Sequence, residues 1–224
     1  GFFYTMNKKL LQLFSWVWDI PIEKTCSPQN KYLEIVWSNG KKMLNTKEAN
    51  FSFGNGYKVF ETGMKFITEE ISQAQDILIL GFGCGSILHL LEQIYLYDKN
   101  IDGIEYDPEI IRLFKEHFAH NYSNVPELYA IDALTYLKGL QKRYDIIFID
   151  LFIELDNSPL LSDNTFIHFL QGSLQKGGTL LFNTTVKTKR EEINHSELLL
   201  LLSSMFKDVK TKNFQDYNKI IIAS

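Results

Sequence analysis

The sequence predicts an α/β protein built on a mostly parallel sheet. Three observations carry that prediction. From residue 76 onward, short apolar runs alternate with amphipathic stretches in the rhythm strand, helix, strand, helix. The runs ILIL (77–80), IDGIE (101–105), ELYAI (127–131), DIIFID (145–150) and GTLLFN (178–183) are close to continuously apolar, as strands covered on both faces are. The first run ends in three alternating glycines, Gly81, Gly83 and Gly85, where a helical pattern begins.

Each element follows in order. KKLLQLFSWVW (8–18) has helical spacing and reads as a short amphipathic helix that packs Phe14 and Trp18 onto the main domain. KYLEIVWSNGKKMLN (31–45) holds Asn39-Gly40 between two strand-like runs, a hairpin signal. Together they form an N-terminal helix and β-hairpin appendage over residues 1–50, ahead of a main domain over 51–224. Residues 57–73 read as a helix leading into that domain, and further helices are expected at 85–95, 108–119, 133–141, 162–174 and 194–205. The runs 207–212 and 218–223, joined by a short polar turn, imply a closing antiparallel hairpin.

Composition narrows the function. A 224-residue chain with 45% hydrophobic and 22% charged residues has an ordinary core. A net charge of −4 leaves no basic excess to displace counterions, so nucleic acid is not an expected partner. No apolar run approaches the ~20 residues of a membrane span, and the first twenty residues lack the order of a signal peptide. Two distant cysteines, Cys26 and Cys84, point to a reducing, cytoplasmic setting. His117 and His120 are close but have no acidic partner in sequence, so no metal site is expected.

In an open α/β sheet, ligands bind at the carboxyl ends of the strands, where strand order reverses. Glycines after the first strand let something approach the backbone closely, although a tight turn alone uses them too. Glu105, at the second strand tip, can accept from both hydroxyls of a ribose; the plainer reading is a helix cap, which Asp107-Pro108 already supplies. Asp132, at the third tip, reads as an N-cap that can also accept from an adenine amine. Asp150, at the fourth tip, lies where the reactive end of a ligand would be, whereas Asp145 is on the opposite edge. Cys84 is either a small packing residue or a thiol at a helix N-terminus. Acids at three successive tips after G-x-G-x-G suit an adenosine-containing ligand better than a dinucleotide, which favours G-x-G-x-x-G.

The segments LILGFGCGSILHLL, IDGIEYDPEII, AIDALTYL, YDIIFIDLF and KGGTLLFNTT together resemble class I S-adenosylmethionine-dependent transferases, and among them the spermidine synthase family. The resemblance implies a Rossmann-like seven-stranded methyltransferase sheet with the last strand antiparallel. It implies an S-adenosylmethionine, decarboxylated S-adenosylmethionine or methylthioadenosine site at Gly81, Phe82, Gly83, Gly85, Glu105, Tyr106, Asp132 and Ala133. It makes Asp150 the catalytic carboxylate and places a small-molecule acceptor near Tyr57, Glu61, Leu151, Phe152 and Glu154. It also implies a homodimer, with the aromatic N-terminal segment as a candidate interface.

The chain departs from that family's pattern. Cys84 replaces the acid of the glycine loop, Ile153 replaces the second aspartate after the fourth strand, and Val59-Phe60-Glu61 keeps only the glutamate of a tyrosine-histidine-glutamate motif. Phe60, Leu151, Phe152 and Ile153 suggest an apolar acceptor channel. These departures favour methyl transfer to a less cationic acceptor. The alternatives are aminopropyl transfer using Glu61, Asp150 and Glu154, or a nucleoside-binding protein that has lost its chemistry. A nicotinamide-dependent oxidoreductase is disfavoured by the glycine spacing.

Overall fold

A computed structural model describes residues 8–46, 55–153, 156–215 and 217–224. Helix α1 spans Lys8–Phe14 and stops short of residue 18. Ser15 ends it: its hydroxyl donates to the Gln12 carbonyl at 2.7 Å and accepts from the Gly40 N–H at 2.9 Å, while its own carbonyl accepts from the Asn39 N–H. The helix is thereby latched to a hairpin turn by polar groups. Phe14 and Trp18 do not pack onto the main domain as expected. They stack on each other at 6.3 Å and stay 41% and 56% exposed.

Strands β1 (Ile20–Thr25), β2 (Leu33–Ser38) and β3 (Lys41–Thr46) form an antiparallel three-stranded sheet in that order. The Asn-Gly hairpin is β2–β3, with φ of 48° at Asn39 and 75° at Gly40, as a two-residue turn matching strand twist requires. Strand β1 was not expected. Pro21 and a register shift between Pro21 and Glu23 confine it to the sheet edge and hide it from alternation rules.

Helix α2 (Asn55–Met64) and α3 (Thr68–Gln73) replace the single helix expected over 57–73. The main sheet then forms from β4 (Asp76–Leu80), β5 (Asn100–Glu105), β6 (Glu127–Ala130), β7 (Tyr144–Ile149), β10 (Leu174–Thr185), β11 (Val209–Phe214) and β12 (Asn218–Ala223). A two-stranded ribbon, β8 (Phe152–Ile153) with β9 (Asp156–Asn157), follows β7. The helices between are α4 (Ser86–Gln93), α5 (Pro108–His117), α6 (Ala133–Gly139), α7 (Asn164–Gly172) and α8 (Lys189–Met205).

The strand order is β11-β12-β10-β7-β4-β5-β6, with β12 antiparallel to both neighbours and β10, β7, β4, β5 and β6 mutually parallel. Alternation sorts the side chains. Ile77, Ile79, Ile146 and Phe148 join one core with α2, α4 and α5, and Leu78, Leu80, Ile147 and Ile149 join another with α6, α7 and α8. Burying each such side chain contributes roughly 1.5–3 kcal/mol. No helix of the described residues is long and apolar enough to cross a membrane.

The three-stranded sheet meets α5 through polar contacts. Ser27 and Asn30 both donate to Asp107 Oδ2, at 2.5 and 2.7 Å, and Thr25 donates to Glu109 at 2.7 Å. Arg112 pairs with Glu23, Glu109 and Glu116, and His117 Nε2 lies 2.6 Å from Glu23. His117 therefore finds an acidic partner in Glu23, on a strand far away in sequence. Glu23, Glu116 and His117 are close enough to share a cation, but the Arg112 guanidinium already bonds both glutamates. The domain boundary placed at residue 50 lies outside the described residues.

Candidate functional site

The chain order β4, β5, β6 runs outward on one side of β4, and β7 returns to its other side. The carboxyl tips of β7, β4, β5 and β6 therefore carry Asp150, Gly81, Glu105 and Asp132 in a row, with the reversal between Asp150 and Gly81.

What needs glycine at this turn is, first, the protein itself. Gly81 has φ of 84°, and a Cβ there would lie 2.2 Å from the Asp150 carbonyl oxygen. The Asp150 N–H donates to the Leu80 carbonyl, so the two strand tips are stitched together at their closest point. Gly85 has φ of 85° and faces the Phe114 ring at 2.9 Å from an added Cβ. The Phe82 ring is buried edge-on against Phe114, with centroids 4.8 Å apart, and its N–H donates to Ile104. Cys84 is 1% exposed, and burial raises its thiol well above the usual range, so it packs as a small residue and is not a poised nucleophile.

Glu105 braces the turn. Its Oε2 accepts from the Gly83 N–H at 2.9 Å and its Oε1 from the Asp107 N–H at 3.0 Å. Burial raises its pKa, and those two backbone donors work against the rise. A carboxylate has about four acceptor positions, so these backbone bonds do not exhaust its capacity. Asp107 is then held by Ser27 and Asn30 while capping α5 through Glu109 N–H at 2.9 Å. Tyr106, between these acids, is 61% exposed. Asp132 caps α6 through Thr135 N–H at 2.9 Å, and Ala133 beside it is buried. The Ile131 N–H donates to the Glu105 carbonyl, which joins the second and third tips.

Asp150 is placed differently from the other acids. Burial pushes its pKa up to about 6, and a hydrogen bond from Asn183 lowers it. That bond runs from Asn183 Nδ2 to Oδ1 at 2.9 Å. Oδ2 faces the first turn of α2, 3.9 Å from where a Cβ on Gly56 would sit. Leu151 leans toward Gly81, and Phe152 opens the β8–β9 ribbon, both half-buried. The ribbon is clipped to β10 by Asn157, whose amide bonds the Thr185 carbonyl at 2.6 Å and N–H at 2.8 Å.

The other acceptor-side residues are less gathered. Tyr57 stands against His89 of α4, with ring centroids 5.9 Å apart. Burial, then Glu61, raises the Tyr57 phenol; burial and Glu61 also raise Tyr95, beyond the far end of α4. Glu61 lies five residues along α2 from Gly56, near enough to the Tyr57 and Tyr95 phenols to disfavour their ionisation. Phe60 does not line a channel: it is fully buried, edge-on to Phe148 at 6.0 Å. Glu154 lies outside the described residues. Sequence reasoning missed Asn183, Asn218 and Gly56. The signal for the first was available, because GTLLFNTT turns polar at the carboxyl end of a buried strand.

Solved structures with the same architecture define the class. Human methyltransferase-like protein 13, in complex with SAH, superposes with a TM-score of 0.62 at 17% identity, covering 76% of this chain and 82% of that one. A probable spermidine synthase from Corynebacterium glutamicum gives a TM-score of 0.67 at 17% identity, covering 92% and 77%. A spermidine synthase in complex with the transition state analogue AdoDATO gives 0.60 at 14%, covering 91% and 73%. The fold is the class I methyltransferase fold. Within it, the spermine/spermidine synthase domain matches residues 59–214, and the chain belongs to that family. It is 26% identical over 133 residues to a "Probable polyamine aminopropyl transferase" of Bifidobacterium longum, covering 59% of this chain. It is 26% identical over 144 residues to polyamine aminopropyltransferase 2 of Pseudomonas aeruginosa, covering 61% of this chain. The chain spans 29% and 41% of those two relatives. The preference for methyl transfer finds no support in this family, whose curated relatives are named for aminopropyl transfer.

Proposed function

We propose that the chain transfers an aminopropyl group from decarboxylated S-adenosylmethionine to a small amine. The observation that carries this reading is Asp150, a partly buried carboxylate at the sheet's reversal point with one oxygen engaged and the other facing α2. The family and the two named relatives support the same choice.

The residues present fit an adenosyl group. Glu105 keeps acceptor capacity for a ribose, Asp132 and Ala133 form the rim where adenine would lie, and exposed Tyr106 offers a ring beside them. The glycine turn leaves main chain at the surface between these acids and Asp150. When bound, the donor supplies a carbon activated by a sulfonium: the amine nitrogen bonds that carbon as the carbon–sulfur pair leaves with sulfur. Asp150 takes the proton that the nitrogen gives up. A carboxylate near pH 6 is mostly ionised at neutral pH and still basic enough to help. Its charge also offsets the positive charge of the attacking centre. Cys84 is buried and brings no carboxylate to the glycine loop, so the choice of donor rests on the family, its named relatives and Asp150. Tyr57, Leu151 and Phe152 border the acceptor side, and apolar walls there suit an amine with a short hydrocarbon body.

The test is to incubate the 224-residue chain with S-adenosylmethionine or its decarboxylated form and a panel of mono-, di- and triamines. Mass spectrometry of the products is expected to show aminopropyl adducts with the decarboxylated donor alone. Methylated products, or no product while either donor binds, would overturn the reading.

A further inference from the structure

Asn183 lies in β10 and is 2% exposed. Its neighbour in the register, Phe182, pairs with Ile149, so Asn183 is level with Asp150 on the adjacent strand. Its Nδ2 donates to Asp150 Oδ1 at 2.9 Å, and its Oδ1 accepts from Asn218 Nδ2 at 3.0 Å. Asn218 pairs with Thr185, two residues beyond Asn183, so both amides project from one face of the sheet. An amide has a donor end and an acceptor end, and an ionised carboxylate only accepts. The chain Asn218 to Asn183 to Asp150 therefore runs donor to acceptor without a break, and its direction suits an ionised Asp150.

We propose that Asn183, oriented by Asn218, is a positioning residue that fixes Asp150 with Oδ1 engaged and Oδ2 open to the acceptor amine. This rests on the reading of Asp150 as the proton acceptor. Asn218 adds a second reason for the Asn183 amide not to flip, because its donor needs the Asn183 oxygen where it stands. If Asn183 turned over, its carbonyl would face a carboxylate, and two acceptors would oppose each other in a buried place. Among the described residues, no other side chain is hydrogen-bonded to Asp150. Gly56 of α2 has no side chain and Gly81 of the turn offers only backbone. Among the described residues, burial and the Asn183 amide are the two influences on the charge of Asp150.

The test is a carbon-13 titration of the aspartate carboxyls, with the Asp150 signal assigned by Asp150→Asn, in the wild type, Asn183→Leu and Asn218→Ala. Losing a charge-assisted bond is expected to move the Asp150 midpoint upward by about one pH unit in Asn183→Leu. Asn218→Ala is expected to give a smaller shift in the same direction. The acidic limb of the transfer rate should move with the carboxyl, while thermal-shift affinity for decarboxylated S-adenosylmethionine stays within about twofold. An unchanged midpoint in both variants would overturn the relay. Should Asn183→Leu not fold, Asn218→Ala decides alone: a shift supports the relay and no shift refutes it. A shifted carboxyl in a protein that transfers nothing to any amine would leave the relay standing and fell the proposed function instead.

Discussion

The two edges of the main sheet both bury carboxylates, and they treat them in opposite ways. At the amino edge, Asp102 is held by Lys142 and by the Tyr144 hydroxyl, each at 2.8 Å, and Lys142 also reaches Asp76. Asp145 accepts two backbone N–H bonds from Gln75 and Asp76. At the carboxyl edge, Glu105 and Asp150 receive neutral donors only, and both have raised pKa values because burial outweighs them. At the first edge Lys142 matches Asp76 and Asp102, and Asp145 is satisfied by two backbone N–H groups at the start of the neighbouring strand, so these carboxylates serve the fold. Those at the second are left partly unmatched, which is costly unless a cationic ligand or a proton completes them.

The contrast can be broken from either side. Asp150→Asn should have the largest effect, lowering transfer by about 10²–10⁴-fold with donor affinity retained, as measured by product formation and thermal shift. Gly81→Ala comes next, because the new Cβ would meet the Asp150 carbonyl in a backbone conformation that favours glycine. A loss of about 3 kcal/mol in urea unfolding is expected. The pH dependence of stability follows. The folded Asp150 pKa is about 6 against an ordinary 3.8, so its contribution is complete below the lower value and lost as pH rises through the higher. Asp150→Asn cannot titrate and should gain on the wild type by about 1–3 kcal/mol between pH 4 and 8, read from unfolding midpoints. The smallest effect belongs to the amino edge. Lys142→Met should cost about 1 kcal/mol, since the lysine is partly solvent-exposed, and should leave transfer rates unchanged. A change in rate there would erase the distinction between the edges.

Much of the carboxyl edge could be read from sequence because position along the strands carried the information. Asp107-Pro108 does cap α5, Asp132 does cap α6, and Asp145 does lie on the opposite edge from Asp150. The seven strands were found within a few residues. What stayed hidden depends on three-dimensional approach. Nothing local says that Gly81 makes room for the Asp150 carbonyl, that Phe60 turns into the core, or that Asn218 meets Asn183 across 35 residues of chain. Strand β1 stayed hidden for a local reason, its proline and bulge. His117 acquired a partner 94 residues away, at Glu23, which sequence spacing cannot reveal.

The amino-terminal part holds Trp16 and Trp18 in the turn after α1 and Trp37 in β2, and these are all three tryptophans of the chain. Trp16 lies over Gly40 at the hairpin turn and is 67% exposed, while the seven-stranded sheet contains no indole. Tryptophan-selective fluorescence is therefore a private reporter of one end of the molecule, and far-ultraviolet circular dichroism mostly follows the other. Melting curves recorded by the two probes coincide if Ser27, Asn30 and Arg112 bind the two parts into one cooperative unit, and separate if they do not.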